Sequence, residues 1–372
     1  MLVFKAEKIL TMFLPFIAAK KNPFLFLVLF ILLVLGALFG ISKIRSNGGK
    51  LTSNYYRDNN SEALTRSPEI SGWIAWWKEQ QGYSLIQKFP GKIKTVSPVW
   101  FMIDKNLKLS DVGTIDRKQT VEKLKASNIE ILPSLGSELT SEELSPLLND
   151  QNKINSLIED LNERLDLLNV DGIDIDLEGI KKEDRDTFSL FLSKMSGRLK
   201  KYNLKMSVTI HAQTGKVIWE GVEGQDLKRI GEIADEVRIM AYDEHSADTQ
   251  PGSVASYSWI SEIALYNSNL IDKDKIIIGV PSYGYIWTKN GDSQGLQFDE
   301  FNRYLQGKDY IQNRDKDSGE IIVNGKNFSG WLSDSEAMVT KIEHLKKLGF
   351  NKFIIWHLGG IDEKFFDKNW SE

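Results

Sequence analysis

The 372-residue sequence has 47 Lys and Arg against 51 Asp and Glu, a formal net charge of −4, with 41% hydrophobic and 26% charged residues. Such a chain is long enough for one barrel-sized domain or two smaller ones, its composition is that of a folded protein, and its slight acidic excess argues against a nucleic-acid surface. The absence of Cys excludes disulfides, thiolate metal sites and a Cys nucleophile, and His211, His245, His344 and His357 show no metal-ligand spacing, so neither a metal nor another cofactor is expected.

Residues 23–41 form an uncharged apolar run of 19 residues, close to the roughly 20 that a helix needs to cross a bilayer. A buried core helix of that length keeps a polar face, and this run has none. It is long for the apolar region of a signal peptide and no clean A-x-A site follows it, which favours an uncleaved membrane anchor. Residues 1–22 then form a cytoplasmic or interfacial N-terminus. Lys5, Lys8, Lys20 and Lys21 precede the run and Lys43, Arg45, Lys50 and Arg57 follow it, nearly a tie by the positive-inside rule. Placing the C-terminal side outside the cell therefore rests on the function argued below. Residues 42–69, rich in Ser, Asn, Gly and charge, read as a flexible stalk.

From residue 70 to 372, short β-branched or aromatic runs alternate with amphipathic stretches, the pattern of a parallel α/β fold. Eight strands are expected, at 72–76, 95–103, 130–135, 172–176, 205–210, 236–240, 275–280 and 352–356. Between the fourth strand and its neighbours, Ile154, Leu157, Ile158, Leu161, Leu165 and Leu168 mark one face of a helix, and Phe188, Phe191, Leu192, Met195 and Leu199 mark another. Eight strand–helix units in about 250–300 residues fit a (β/α)8 TIM barrel. A doubly wound sheet is the alternative, but no phosphate-binding glycine loop is present. A polar stretch at 289–330 reads as a small insertion between strands seven and eight.

The fourth strand reads Asp171-Gly172-Ile173-Asp174-Ile175-Asp176-Leu177-Glu178. Alternation puts the Ile and Leu side chains on one face and Asp174, Asp176 and Glu178 on the other. Neighbouring carboxylates inside a barrel cannot all ionise, so at least one binds its proton more tightly than usual. A carboxylic acid that keeps its proton at a barrel mouth is suited to protonating a glycosidic oxygen. His211 and His245 sit just past the fifth and sixth strands, positions from which a side chain reaches the cleft.

The segment DGIDIDLE resembles the DxxDxDxE signature of glycoside hydrolase family 18, the chitinase-like family, at every defined position. Met240-Ala241-Tyr242-Asp243 is similar to that family's MxYD motif, 279–285 (GVPSYGY) to its GxPxYG segment, and Trp356, in IIWHLGGID, to its Trp beneath the scissile sugar. Residues 331–334 and 253–259 resemble the branch that contains bacterial spore-cortex and cell-wall N-acetylglucosaminidases. The likeness covers nearly all of residues 70–368. One departure lies at Ser134-Leu135-Gly136-Ser137, where many chitinases have SxGG.

The resemblance implies a substrate-assisted, retaining reaction without a second catalytic carboxylate acting as nucleophile. Glu178 is the acid, Asp176 holds the substrate's acetamido N–H, and Asp174 lies below and shares a proton with Asp176. Tyr242 holds the acetamido oxygen, Trp356 is the floor, and Asp171, Met240, Asp243 and Tyr283 are carried over as substrate-binding positions. The implied partner is an N-acetylglucosamine-containing polysaccharide, peptidoglycan ahead of chitin. The expected protein is a single-pass membrane protein with its catalytic domain on the extracytoplasmic side, a monomer that binds no nucleic acid. A non-catalytic sugar-binding protein of the same fold is the rival reading.

Overall fold

The computed structural model describes residues 66–216 and 220–370. The apolar run at 23–41 and the stalk as far as residue 65 lie outside the described residues. Among the described residues no helix is long and apolar enough to cross a membrane.

The chain enters through β1 (Glu69–Ile74) and a 3-10 turn, Trp76–Lys78, leading to α1 (Glu79–Lys88). Next come β2 (Thr95–Ile103), the short antiparallel β3 (Leu109–Asp111) and α2 (Arg117–Ala126). The third barrel position is shared by β4 (Glu130–Ile131) and β5 (Ser134–Ser137), followed by α3 (Ser141–Leu148) and α4 (Gln151–Leu168). Then follow β6 (Gly172–Ile175), α5 (Arg185–Leu199), β7 (Lys205–His211), α6 (Leu227–Ile233), β8 (Glu236–Met240), α7 (Tyr257–Ser268) and β9 (Ile276–Pro281). β10 (Tyr283–Thr288), β11 (Ser293–Gln297), α8 (Phe298–Leu305), β12 (Tyr310–Arg314), β13 (Ile321–Gly325) and β14 (Phe328–Leu332) form the insertion. The last unit is α9 (Ser335–Lys347) and β15 (Lys352–Trp356).

Parallel pairing runs β1-β15-β9-β8-β7-β6-β5-β2, and β2 pairs back on β1, so eight strand positions close into a barrel. Alternation explains its two faces. Ile173, Ile175, Val208, Ile210, Val237, Ile239, Ile278, Phe353 and Ile355 point outward into the core shared with the helices. Several helices begin where a polar side chain caps free backbone N–H groups: Asp116, Thr140, Asp150, Asp226, Ser256 and Asp334 each accept at the first turn.

Four boundaries differ from the sequence reading. β1 begins at Glu69 and ends before Trp76, so the barrel starts inside the span assigned to the stalk. Ser67 O already accepts from Asn351 Nδ2 at 3.0 Å. The third strand is broken because Pro133 has no N–H to give the ladder, while its carbonyl still accepts from Asp174 N at 2.9 Å. The insertion is longer than 289–330. β10 and β14 pair from Gly284↔Leu332 to Thr288↔Phe328, building a five-stranded antiparallel sheet in the order β11-β10-β14-β13-β12. β6 ends at Ile175, leaving Asp176 and Glu178 on the segment that departs from the barrel rim.

Candidate active site

Strands β6, β7, β8 and β15 and the first turn of α7 converge at the C-terminal mouth of the barrel around a pocket of about 370 Å³. It is lined by Asp176, Glu178, His211, Ala212, Met240, Tyr242, Asp243, Trp259 and Trp356. The size falls in the range of ligand sites, roughly 300–1,000 Å³.

Asp174 lies beneath this pocket, fully buried. Its Oδ2 accepts from Trp73 Nε1 and Ser134 Oγ, both at 2.9 Å, and lies 3.0 Å from Arg238 Nη1. Its Oδ1 accepts from Ser207 Oγ at 2.5 Å and Thr209 Oγ1 at 3.0 Å. Arg238 is itself fully buried and donates to Ser97 Oγ.

Asp176, next up the same face, has a buried Oδ1 without a hydrogen-bond partner among the described residues. Burial, then the charges of Glu178 and Asp174, push its pKa well above the usual carboxylate range, and Arg238 opposes this. Glu178 stands at the rim with 56% of its side chain accessible to water. The surrounding barrel wall and the charge of Asp243 still raise its pKa. A carboxyl that holds its proton while remaining reachable from the cleft is what a general acid requires. His211 Nε2 is 3.9 Å from Glu178 Oε2, and burial lowers the imidazole to about 4, which leaves it neutral near pH 7.

Tyr242 keeps its proton because burial and the nearby carboxylates push the phenol well up. It is therefore a fixed donor. Asp243 has a left-handed backbone, φ 66°, which Asp tolerates better than most residues. The turn directs its carboxylate toward β10, where Tyr283 OH and Tyr285 OH both donate to Oδ1, the latter at 2.9 Å. Burial raises the pKa of Asp243 and the two phenols oppose that rise. Trp356, at the end of β15, packs edge-on against Trp73 with ring centroids 5.8 Å apart and against Trp77 at 6.4 Å.

The structure thus gathers Asp176, Glu178, Met240, Tyr242, Asp243 and Trp356 around one cavity, with Tyr283 behind Asp243 and Asp174 below. Asp171 is not among them, which corrects its assignment as a substrate-binding position. It precedes β6 at the opposite end of the barrel, where Oδ2 caps Ile131 N at 2.9 Å and Oδ1 faces Lys125 at 3.6 Å. His211 reaches the pocket, whereas His245 turns away, with Nδ1 3.0 Å from Ser253 O. Two further residues, Arg238 beneath the pocket and Trp259 in its wall, lie outside the motifs. Arg238 shares the inward face of β8 with Met240, and a cation on that face calls for a buried carboxylate partner. Trp259 reaches the site from a helix, so no strand pattern marks it.

A family model for the glycosyl hydrolases family 18 matches residues 69–360. The chain is 30% identical over 205 residues to the uncharacterized glycosylase YvbX of Bacillus subtilis (strain 168), covering 52% of this chain and 59% of that protein. It is 22% identical over 258 residues to the cortical fragment-lytic enzyme of the same organism, covering 64% and 58%. The chain thus spans little more than half the length of these curated relatives. Among solved structures, the spore cortex-lytic enzyme SleL of Bacillus megaterium QM B1551 superposes with a TM-score of 0.72 at 21% identity, covering 81% of this chain and 73% of that one. A chitinase from Chromobacterium violaceum ATCC 12472 superposes at 0.73 and 19% identity, covering 81% and 97%. With a matching family model over most of its length and the acidic strand aimed into a barrel-mouth pocket, the chain belongs to the glycosyl hydrolases family 18.

Proposed function

We propose that this protein is a retaining hydrolase of β-1,4-linked N-acetylglucosamine polymers, acting on peptidoglycan from the outer face of a membrane to which residues 23–41 anchor it. The observation that carries the reading is the joint placement of Glu178, Asp176 and the Tyr242 hydroxyl around one pocket with Trp356 in its wall. Glu178 protonates the glycosidic oxygen as the bond to the leaving sugar breaks. The substrate's 2-acetamido oxygen attacks the anomeric carbon from the opposite face, forming an oxazolinium ion. Asp176 accepts from the acetamido N–H and offsets the positive charge, Tyr242 donates to the acetamido oxygen, and Trp356 supplies an apolar floor. Glu178, now a carboxylate, takes a proton from the water that opens the intermediate, so the anomeric configuration is retained. Positioned donors and charges of this kind act on the transition state without reorganising at the moment of reaction.

Similarity to cortical fragment-lytic and spore cortex-lytic enzymes favours a bacterial wall glycan over chitin. The discriminating experiment incubates the detergent-solubilised full chain with purified peptidoglycan and, separately, chitin oligomers, and identifies the new sugar ends by mass spectrometry. Release of N-acetylglucosamine reducing ends from peptidoglycan is the expected result. Faster cleavage of chitin reassigns the substrate, and binding of both without cleavage replaces the enzyme with a sugar-binding protein.

A further inference from the structure

A second cavity, of about 550 Å³, begins where the chain leaves the active site after Trp356. Its size also falls in the range of ligand sites, roughly 300–1,000 Å³. Apolar side chains line it: Leu358 and Ile361 just past β15, Leu85 of α1 and Phe298 at the start of α8.

The way from the active site to this groove is continuous. Trp356 packs against Trp77 at 6.4 Å, and Trp77 against His357 at 6.0 Å. Trp77 is 53% exposed. α1 starts directly after it, at Glu79, and its Gln80, Ser84 and Lys88 recur every four residues, one helical face, along the groove. Gly359 and Gly360 join the two regions. A Cβ on Gly359 would lie 2.5 Å from Lys78 Cβ, and one on Gly360 would lie 2.6 Å from Gln297 Cβ. Only glycines let the turn after Trp356 press between the approach to α1 and the approach to α8. The Lys78–Glu300 ion pair, 2.8 Å, ties the same two approaches together.

The rim of the groove carries both signs of charge. Lys88 pairs with Glu363 between its walls. Lys364 and Asp299 are exposed and have no ion-pair partner among the described residues. An apolar floor with one free cation and one free anion is complementary to a ligand that carries an alkyl chain, a carboxylate and an ammonium. A neutral N-acetylglucosamine polymer offers none of the three. In peptidoglycan, alternate sugars bear short peptides with free carboxylates and, where one residue is a diamino acid, a free ammonium on an alkyl chain.

We propose that this groove binds the stem peptide of a peptidoglycan strand whose sugars occupy the active-site pocket. Lys364 takes a peptide carboxylate, Asp299 takes the ammonium, and Phe298, Leu358 and Ile361 take the alkyl chain between them. Such recognition rests on the proposed function and deepens it, because it supplies the feature by which a wall glycan is told from chitin.

The test uses Lys364→Ala, Asp299→Ala and the double variant in the detergent-solubilised full chain. Both side chains are exposed and stand outside the catalytic machinery, so cleavage of chitin oligomers is expected to be unchanged. The substrates are peptidoglycan and the same strands after an amidase has removed their peptides. Each single variant is expected to lower kcat/KM on the peptide-bearing strands about two- to fivefold, and the double variant about tenfold, with the stripped strands unaffected. An equal loss on both substrates, or no loss on either, overturns the proposal. A second readout needs no hydrolysis. The free tetrapeptide L-Ala-γ-D-Glu-diaminopimelate-D-Ala is mixed with the protein, and magnetisation transfer from protein to peptide is measured by NMR. Transfer from the native chain that falls in the double variant is the expected result. No transfer from the native chain, or transfer unchanged in the double variant, overturns the proposal. Transfer that falls as expected, in a protein that cleaves no glycan, refutes the proposed function and leaves the peptide site standing.

Discussion

The insertion is tied to the barrel by an ion pair whose removal has a calculable consequence. Lys341, on α9, and Glu320, on the turn entering β13, are both fully buried, with Nζ 3.0 Å from Oε1. Glu320 also accepts from Val254 N at 2.9 Å and Ala255 N at 3.0 Å, and Lys341 donates to Ser318 O at 2.8 Å. The residues so held lead into α7 and set Trp259 against the pocket. Lys341→Met leaves a buried carboxylate with hydrogen bonds but no counter-ion, which is destabilising by about 3–5 kcal/mol. For a domain of this size that corresponds to a fall in melting temperature of about 5–8 °C. Glu320→Leu has a similar effect, because it strands the ammonium. The double variant Glu320→Leu/Lys341→Met removes both charges and leaves two backbone N–H groups unpaired, at about 1–3 kcal/mol each. Its total, about 2–6 kcal/mol, is below the sum of the single effects, so the two positions are coupled. Near-ultraviolet circular dichroism melts read all three variants. A Lys341→Met protein that melts within about 2 °C of the native one refutes the argument that this pair is a structural necessity of the latch.

Other consequences follow from the pocket. Asp176 binds its proton more tightly folded than unfolded, so its contribution to stability is full below the unfolded pKa and is lost as pH rises through the folded one. Asp176→Asn is therefore expected to raise the melting temperature at neutral pH while abolishing turnover; a lower melting temperature there contradicts the assignment of burial as the main cause. Trp259→Ala removes one wall of the cavity and should raise KM about tenfold, some 1.4 kcal/mol, with a smaller change in kcat. Loss of kcat at unchanged KM excludes a binding role for it. His211, which burial lowers to about 4, is expected to contribute no ionisation near the ordinary histidine range, so His211→Gln should leave the shape of the pH profile intact. A limb near pH 6.5 that vanishes in that variant contradicts this.

The barrel was legible in the sequence because its strands are short β-branched or aromatic runs separated by amphipathic helical stretches. The acidic strand was the most legible element, since Ile173, Ile175 and Leu177 require a buried outer face and thereby assign Asp174, Asp176 and Glu178 inward. The insertion extends beyond its polar stretch because Tyr283, Tyr285 and Trp287 continue the apolar texture of β9, and only their antiparallel pairing with β14 separates them from it. Asp171 fits the motif by spacing but not by position. It precedes the strand, and the barrel's length separates it from Glu178. Arg238 lies on the inward face that alternation along β8 defines, but a charged residue in a strand reads by itself as part of an exposed face. Trp259 depends on the tertiary path held by Glu320, which no local pattern encodes.

The central claim is that Glu178 protonates a glycosidic oxygen in a substrate that carries its own acetamido nucleophile. The most direct measurement is release of fluorophore from a β-linked N-acetylglucosamine dimer by the native chain and by Glu178→Gln, beside the corresponding glucose dimer. The account predicts release by the native protein, a loss of about 10²-fold or more in the variant, and no cleavage of the glucoside. Comparable release by Glu178→Gln, or Glu178-dependent turnover of the glucoside, contradicts it.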